Sequence, residues 1–315
     1  MLTVAIIPCY KTPDKAPLIA SKCLNYVNKV ICVDDCCPFN TGDKIESEIE
    51  NKNIYVIRHQ KNLGVGGALK TGIIHALKIK ADIIVKIDSD GQMPPELIPN
   101  LINPIKEKNF YFSKGNRFRD SNIVKKMPAL RLVGNVFLSF LTKLSTGYWE
   151  LFDPTNGFIA FRSDIIKNID LRKIDNRYFF ETDLLFRCSI NEILIHEIPM
   201  NAIYGEEVSN MYPIFEIPNF FFKHILIFIK RIFYHYFLYD FNPGSISFII
   251  SFLFGMAAIM LAGISYFYAL LNTLETPSGI QTLFLAFLLI SSNFGINFIY
   301  YDASQRPLFR KLRSI

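Results

Sequence analysis

Ala81-Asp82-Ile83-Ile84-Val85-Lys86-Ile87-Asp88-Ser89-Asp90-Gly91-Gln92 joins an apolar, β-branched run to two carboxylates two residues apart. The run predicts a buried strand, and the acids fall at its carboxyl end. A hard cation such as Mg²⁺ or Mn²⁺ takes oxygen ligands, keeps several waters and commonly bridges one or two carboxylates to the phosphates of a bound nucleotide. Side chains alternate along an extended segment, so residues 88, 90 and 92 are expected to share one face. Two acids that merely end a solvated strand would look the same in isolation, so the flanking sequence has to decide.

Upstream, Thr3 to Ile7, Lys29 to Val33 and Ile54 to Ile57 are further short β-branched runs, and Asp82 to Ile87 completes a set of four. Segments of helical composition, such as Gly66 to Lys80, separate them, which predicts an α/β domain with a mostly parallel sheet. Ligands of such sheets bind at the carboxyl ends of the strands. Those ends carry Pro8-Cys9-Tyr10, Asp34-Asp35, Asn62-Leu63-Gly64-Val65-Gly66-Gly67-Ala68 and Asp88 to Gln92. The glycine segment is not a dinucleotide fingerprint, because Leu69 stands where the third glycine belongs and the segment follows the third strand. Glycines opening a helix still let a ligand approach the backbone closely, and amides there favour phosphate or a polar sugar. A plain helix-initiating turn would need fewer of them.

Half of the 315 residues are apolar, and the net charge is +6. The apolar excess is concentrated: no charged residue occurs from Asn242 to Leu274 or from Thr276 to Tyr301, and each run exceeds the roughly 20 residues that span a bilayer. Lys223, Lys230 and Arg231 precede the first run, Arg306, Arg310, Lys311 and Arg313 follow the second, and Glu275 alone lies between. The positive-inside rule then places both ends in the cytosol. Met1 to Pro8 has neither a basic start nor a small-residue cleavage site, so no secretory signal is expected. Six cysteines in a cytosolic domain are expected to stay unpaired, and adjacent Cys36-Cys37 suits neither a zinc site nor a thioredoxin-like one.

Between Pro218 and Tyr239, Lys223, His224, Ile227, Lys230, Arg231, Tyr234 and His235 recur at helical spacing. Phe221, Phe222, Ile225, Phe228, Ile229, Ile232 and Phe233 fall largely on the other side. This pattern predicts a helix in the membrane interface, its basic stripe toward anionic headgroups; the alternative is an amphipathic helix packed on the domain. The expected division is residues 1–215 as the α/β domain, 216–241 as the interfacial helix, and 242–315 as two membrane spans with a basic tail.

Taken in order, Pro8-Cys9-Tyr10, Val33-Asp34-Asp35, Asn62 to Ala68, Asp88 to Gln92 with Pro95-Glu96, Gly115-Asn116-Arg117 and Asp153-Pro154-Thr155-Asn156-Gly157-Phe158 resemble a known family. It is the family 2 glycosyltransferases of GT-A fold, and within it the polyprenyl-phosphate sugar synthases. The resemblance implies a Rossmann-like, mostly parallel nucleotide-diphospho-sugar transferase domain. It implies an inverting hexosyltransferase that moves a sugar from a GDP- or UDP-sugar to undecaprenyl or dolichyl phosphate at the cytosolic face of the plasma membrane. Pro8, Tyr10, Asp35, Asn62, Gly64 and Asp88 would bind the nucleotide-sugar, and Asp88, Asp90 and Gln92 the Mg²⁺ or Mn²⁺. Arg117 and Arg131 would receive the acceptor phosphate, and Asp153 would be the catalytic carboxylate. Lys11 and Cys36-Cys37 depart from the family pattern near the base pocket. Membrane lipids are the further expected partner, a homo-oligomer is left open, and no nucleic acid is expected.

The chemistry can be reasoned from the residues too. A leaving nucleoside diphosphate develops negative charge that a cation held by Asp88 and Asp90 would stabilise. A hydroxyl acceptor needs a general base, whereas a lipid phosphomonoester, with a second pKa of about 6, is mostly dianionic at pH 7. Arginine forks suit the phosphate. Glu181 and Asp183, in Phe180-Glu181-Thr182-Asp183, fit either the base for a hydroxyl acceptor or the acidic first turn of a helix. Gly205 to Asn210 could form a loop over the acceptor or an ordinary connection. Transfer to a hydroxyl of a lipid-linked saccharide is the alternative activity, and a non-catalytic membrane scaffold is disfavoured by intact Asp88, Asp90 and Asp153.

Overall fold

The computed structural model describes residues 1–107, 110–119, 129–200, 213–272 and 277–305. The chain forms two compact units, Met1–Phe228 and Ile229–Arg306. Among the described residues of the first, β1 (Thr3–Cys9), β2 (Lys29–Asp34), β3 (Ile54–Arg58), β4 (Ile83–Lys86), β5 (Phe112–Asn116), β6 (Ile159–Arg162) and β7 (Ile195–Pro199) form one sheet. Its order is β3-β2-β1-β4-β6-β5-β7. The first four strands are parallel, as expected from their alternation with α1 (Ala16–Cys23), α2 (Thr41–Glu48) and α3 (Val65–Lys78). The chain then departs from that pattern. After α4 (Ile98–Glu107) and α5 (Ala129–Thr146), β6 runs antiparallel to both β4 and β5, while β5 is parallel to β7.

That one reversed strand positions the site. With Lys86 opposite Ile159 and Lys114 opposite the same Ile159, the carboxyl ends of β4 and β5 meet the amino end of β6. Asp88, Arg117 and Gly157 lie just beyond those ends. Alternation sends Val4, Ile6, Ile31, Val33 and Ile84 to one face, against α3 and α7 (Phe180–Ile190). Ala5, Ile7, Val30, Cys32 and Val85 go to the other, against α1 and α4. The short α6 (Ser163–Lys167) follows β6. All six cysteines are free thiols.

α8 (Pro213–Phe233) starts five residues before Pro218. In the part belonging to the first unit, Phe220 and Ile227 pack on Phe179 and Phe186. His224 is buried, with Nδ1 2.8 Å from Ser145 Oγ. Burial pushes its imidazole down to about 4. The expected basic stripe is therefore corrected: His224 is a neutral packing residue, and Lys223 is paired with Asp175 at 2.5 Å. Phe221, Phe222 and Ile225 are exposed, as the pattern requires.

In the second unit, Arg231 also leaves that stripe, and Ile232 leaves the exposed apolar face, since both are buried. Arg231 Nη1 and Nη2 donate to Asp302 Oδ1 and Oδ2 at 2.7 and 2.9 Å, and Tyr236 Oη donates to Asp302 Oδ1 at 2.6 Å. Two helices, α9 (Pro243–Asn272) and α10 (Ser278–Ser304), are long and apolar enough to cross a membrane, with mean hydropathy of 2.3 and 1.8 over their best windows. They pair antiparallel. Ser251 Oγ donates to Ser291 O at 2.9 Å and Ser291 Oγ to Ser251 O at 2.8 Å, with Gly255 and Gly295 giving room for the close approach. The Arg231–Asp302 pair ties the segment before α9 to the end of α10. Removing one partner of a buried pair costs about 3–5 kcal/mol, so Asp302→Asn is expected to lower the melting temperature of detergent-purified protein. Unchanged melting would contradict a buried role. The expected basic cytosolic tail, residues 306–315, and Glu275 lie outside the described residues.

Candidate active site

Asp88 to Gln92 is a turn, not the extended segment expected from sequence. β4 stops at Lys86, Gly91 has φ +82°, and Gln92 N donates to Asp90 Oδ1 at 2.9 Å. Ser89 anchors the turn to the end of β1, its Oγ donating to Pro8 O and accepting from Thr12 Oγ1, both at 2.8 Å. Burial and the neighbouring Asp88 charge raise the Asp90 carboxyl above the usual range. A divalent cation beside the two acids would offset the disfavoured charge of Asp90. Among the described residues, no three His, Cys, Asp or Glu side chains cluster to hold a metal by themselves. Two carboxylates with an amide oxygen from Gln92 fit Mg²⁺ or Mn²⁺, which complete their shells with water and phosphate.

The acids at the end of β2 separate by role. Asp34, buried, accepts from Cys37 N at 2.7 Å and Gly42 N at 2.6 Å, which ties down the start of α2. Asp35, also buried, accepts from Leu63 N and Gly64 N at 2.8 and 2.7 Å and lies 2.7 Å from His59 Nδ1. Asn62 Nδ2 reaches Asp35 O at 3.3 Å. The structure thus brings Asp35, Asn62 and Gly64 together, with Asp35 organising the loop. Tyr10 is partly exposed at the end of β1. The glycines have a packing reason that sequence did not suggest. A Cβ on Gly64 would lie 2.6 Å from Asn176 O, and one on Gly66 2.3 Å from Asp175 O. Gly67 N also donates to Asn176 O at 2.9 Å. The start of α3 therefore packs on residues 175–176 instead of forming an open cradle for phosphate.

Beyond β5 lies a buried ionic network. Asp153, fully buried, accepts from Arg117 Nε and Nη2 at 2.8 Å each and from Arg117 N at 3.0 Å. Burial acts to raise its carboxyl, but the Arg117 guanidinium and Lys114 outweigh it and hold it below the usual range. Glu197 on β7 accepts from Asn116 Nδ2 at 2.7 Å and from the backbone of Phe152 and Asp153 at 2.9 and 3.2 Å. One carboxylate therefore fixes both segments that carry the Arg117–Asp153 pair. Lys114, buried, donates to Pro154 O and Asn156 O at 3.1 and 2.6 Å, and burial pushes its ammonium down to about 8. Arg131 lies on α5, but its side chain is outside the described residues, as are residues 205–210.

Sequence reading missed Lys86, Lys114 and Glu197; only Lys86 carried a signal, as the lone charge in an otherwise apolar strand. It left Glu181 and Asp183 as one pair, and the structure divides them. Asp183 accepts from Asp175 N at 2.9 Å and pairs with Arg187 at 3.2 Å. Glu181 instead approaches Asp88 and Lys86 around Gly157. Burial pushes its carboxyl up to about 7, against the attraction of Lys86. Because the folded protein holds this proton more tightly than the unfolded chain, stability is expected to fall as pH rises from about 4.5 to about 7, then level off. Glu181→Gln should remove that slope, gaining up to about 3 kcal/mol on the parent between acidic and neutral pH. Urea denaturation in EDTA checks it, and parallel pH profiles would contradict it.

Residues 4–170 match the profile of Glycosyl transferase family 2. UDP-N-acetylglucosamine–dolichyl-phosphate N-acetylglucosaminyltransferase of Methanococcus voltae is 32% identical over 220 residues, 65% of this chain and 87% of that protein. Undecaprenyl-phosphate mannosyltransferase of Micrococcus luteus is 28% identical over 210 residues, 65% of this chain and 85% of that one. Among solved structures, glucosyl-3-phosphoglycerate synthase of Mycobacterium tuberculosis, crystallised with Mn²⁺, UDP and glucosyl-3-phosphoglycerate, superposes with a TM-score of 0.53. At 15% identity, covering 73% of this chain and 79% of that one, it shows the fold. The seven-stranded sheet and this likeness define a GT-A fold. The chain belongs to glycosyl transferase family 2.

Proposed function

We propose that this protein transfers a hexose, with inversion, from a nucleotide-diphosphate sugar to a polyprenyl phosphate at the cytosolic face of the membrane. The observation that carries the acceptor is what the relatives share. One is named for N-acetylglucosamine and another for mannose, yet both names specify a polyprenyl phosphate. The antiparallel apolar hairpin and its basic flanks support a membrane-anchored enzyme with both ends cytosolic.

Asp88, Asp90 and Gln92 would hold the divalent cation, which supplies Lewis-acid stabilisation of the leaving diphosphate. Asp35 shapes the Asn62–Gly64 loop beside the end of β1, where Pro8 and Tyr10 would line the nucleotide pocket. Arg117 and Arg131 are assigned to the acceptor phosphate. Asp153 is assigned a different role from the one its motif implies: buried, ionised and bound to Arg117, it orients that guanidinium and is poorly placed to take a proton. A dianionic phosphate acceptor asks for no base. Its oxygen attacks C1 of the sugar as the nucleoside diphosphate departs from the opposite side.

Transfer to a sugar hydroxyl is the second reading, favoured by Glu181, whose carboxyl at about 7 suits a general base. Membranes carrying the protein, supplied with labelled UDP- and GDP-sugars and polyprenyl phosphate, distinguish the two. Label that enters the lipid phase and is released by mild acid supports the phosphate acceptor. Acid-stable incorporation supports the hydroxyl, and none with any donor rejects both.

A further inference from the structure

Lys86 is the one charged side chain within β4, and it is 1% exposed. Burying an ammonium is unfavourable unless it is paired, and the pairing here is specific. Lys86 Nζ lies 2.6 Å from Asp88 Oδ1 and 5.3 Å from the centroid of the Phe180 ring, within cation–π range. Room for it is made at Gly157. A Cβ there would meet Lys86 Nζ at 2.2 Å, Glu181 Oε1 at 3.2 Å and Asp88 Oδ2 at 3.3 Å. Three ionisable groups from β4, from the turn after it and from α7 therefore converge on a position that lacks a side chain.

We propose that Lys86 makes metal capture conditional on the donor. This rests on the metal assignment to Asp88 and Asp90. The ammonium engages one oxygen of Asp88 and repels a second cation brought to the same carboxylate, so the free protein binds a divalent metal weakly. A nucleoside diphosphate brings enough negative charge for the ammonium and the metal to share the site. By linkage, the metal favours the nucleotide as much as the nucleotide favours the metal. Lys86 is thus a positioning residue that sets the order of assembly through Asp88.

Mn²⁺ binding to the purified full chain, followed by electron paramagnetic resonance, tests this without any turnover. It is measured alone and with UDP or GDP, allowing for Mn²⁺ held by nucleotide in solution. The parent should bind Mn²⁺ weakly alone and at least about tenfold more tightly with one of the nucleotides. Lys86→Met should tighten binding of Mn²⁺ alone by roughly tenfold and shrink the nucleotide effect. Gly157→Ala, whose methyl must displace the ammonium, should move both in the same direction and carries the test if the first variant does not fold. Nucleotide-dependent binding that is unchanged in these variants overturns the proposal while sparing the metal site. If the parent takes up no Mn²⁺ with either nucleotide, the metal assignment fails and the proposal with it.

Discussion

Asp90→Asn is expected to lower sugar transfer by roughly 100- to 1,000-fold while leaving the protein folded. The two halves of that expectation have separate causes. Activity depends on the negative charge of Asp90, because the leaving diphosphate needs a cation that an amide holds poorly. Folding depends on Asp90 Oδ1, which accepts from Gln92 N, and asparagine keeps an oxygen in that place. Since burial and Asp88 already disfavour the Asp90 charge, the metal-free variant should melt no lower than the parent. Turnover and thermal melting in EDTA, measured on the same preparation, check both. Full turnover in the variant, or in parent protein stripped of metal, would reject the cation site.

Asp153→Asn should damage both stability and acceptor use. An amide cannot neutralise Arg117, and breaking a buried pair costs about 3–5 kcal/mol. Loss of the fork also frees Arg117 to turn, so the KM for polyprenyl phosphate should rise more than the KM for the nucleotide-sugar. Because the two residues act as one unit, Asp153→Asn and Arg117→Ala should be non-additive, with a coupling of about 0.5–3 kcal/mol in a double-mutant cycle. A general base behaves differently. Its loss would remove the acidic limb of the pH–rate profile and leave the effect of Arg117→Ala intact. Additive effects with such a change in profile would return Asp153 to proton transfer.

What was legible in the sequence was short-range. The four parallel strands show because each is a continuous β-branched run, and the membrane hairpin shows because charge vanishes over two long stretches. Pairings distant along the chain were not legible. Asp35 looks like a ligand residue beside Asp34, and only the fold brings His59, Leu63 and Gly64 to it. Arg117 and Asp153 carry separate motifs 36 residues apart and meet because β6 is reversed against β5. The basic stripe on α8 failed for a related reason: helical spacing groups His224 and Arg231 with the lysines, but burial by Ser145 and Asp302 follows from partners far away.

The Arg231–Asp302 clasp has a consequence for biosynthesis. Arg231 leaves the ribosome 71 residues ahead of its partner, with α9 and nearly all of α10 made in between. Until the second helix has turned back, Arg231 has no Asp302 to neutralise it, and a guanidinium is costly to bury without such a partner. The charge ahead of the first apolar helix thus becomes buried only when the hairpin is complete.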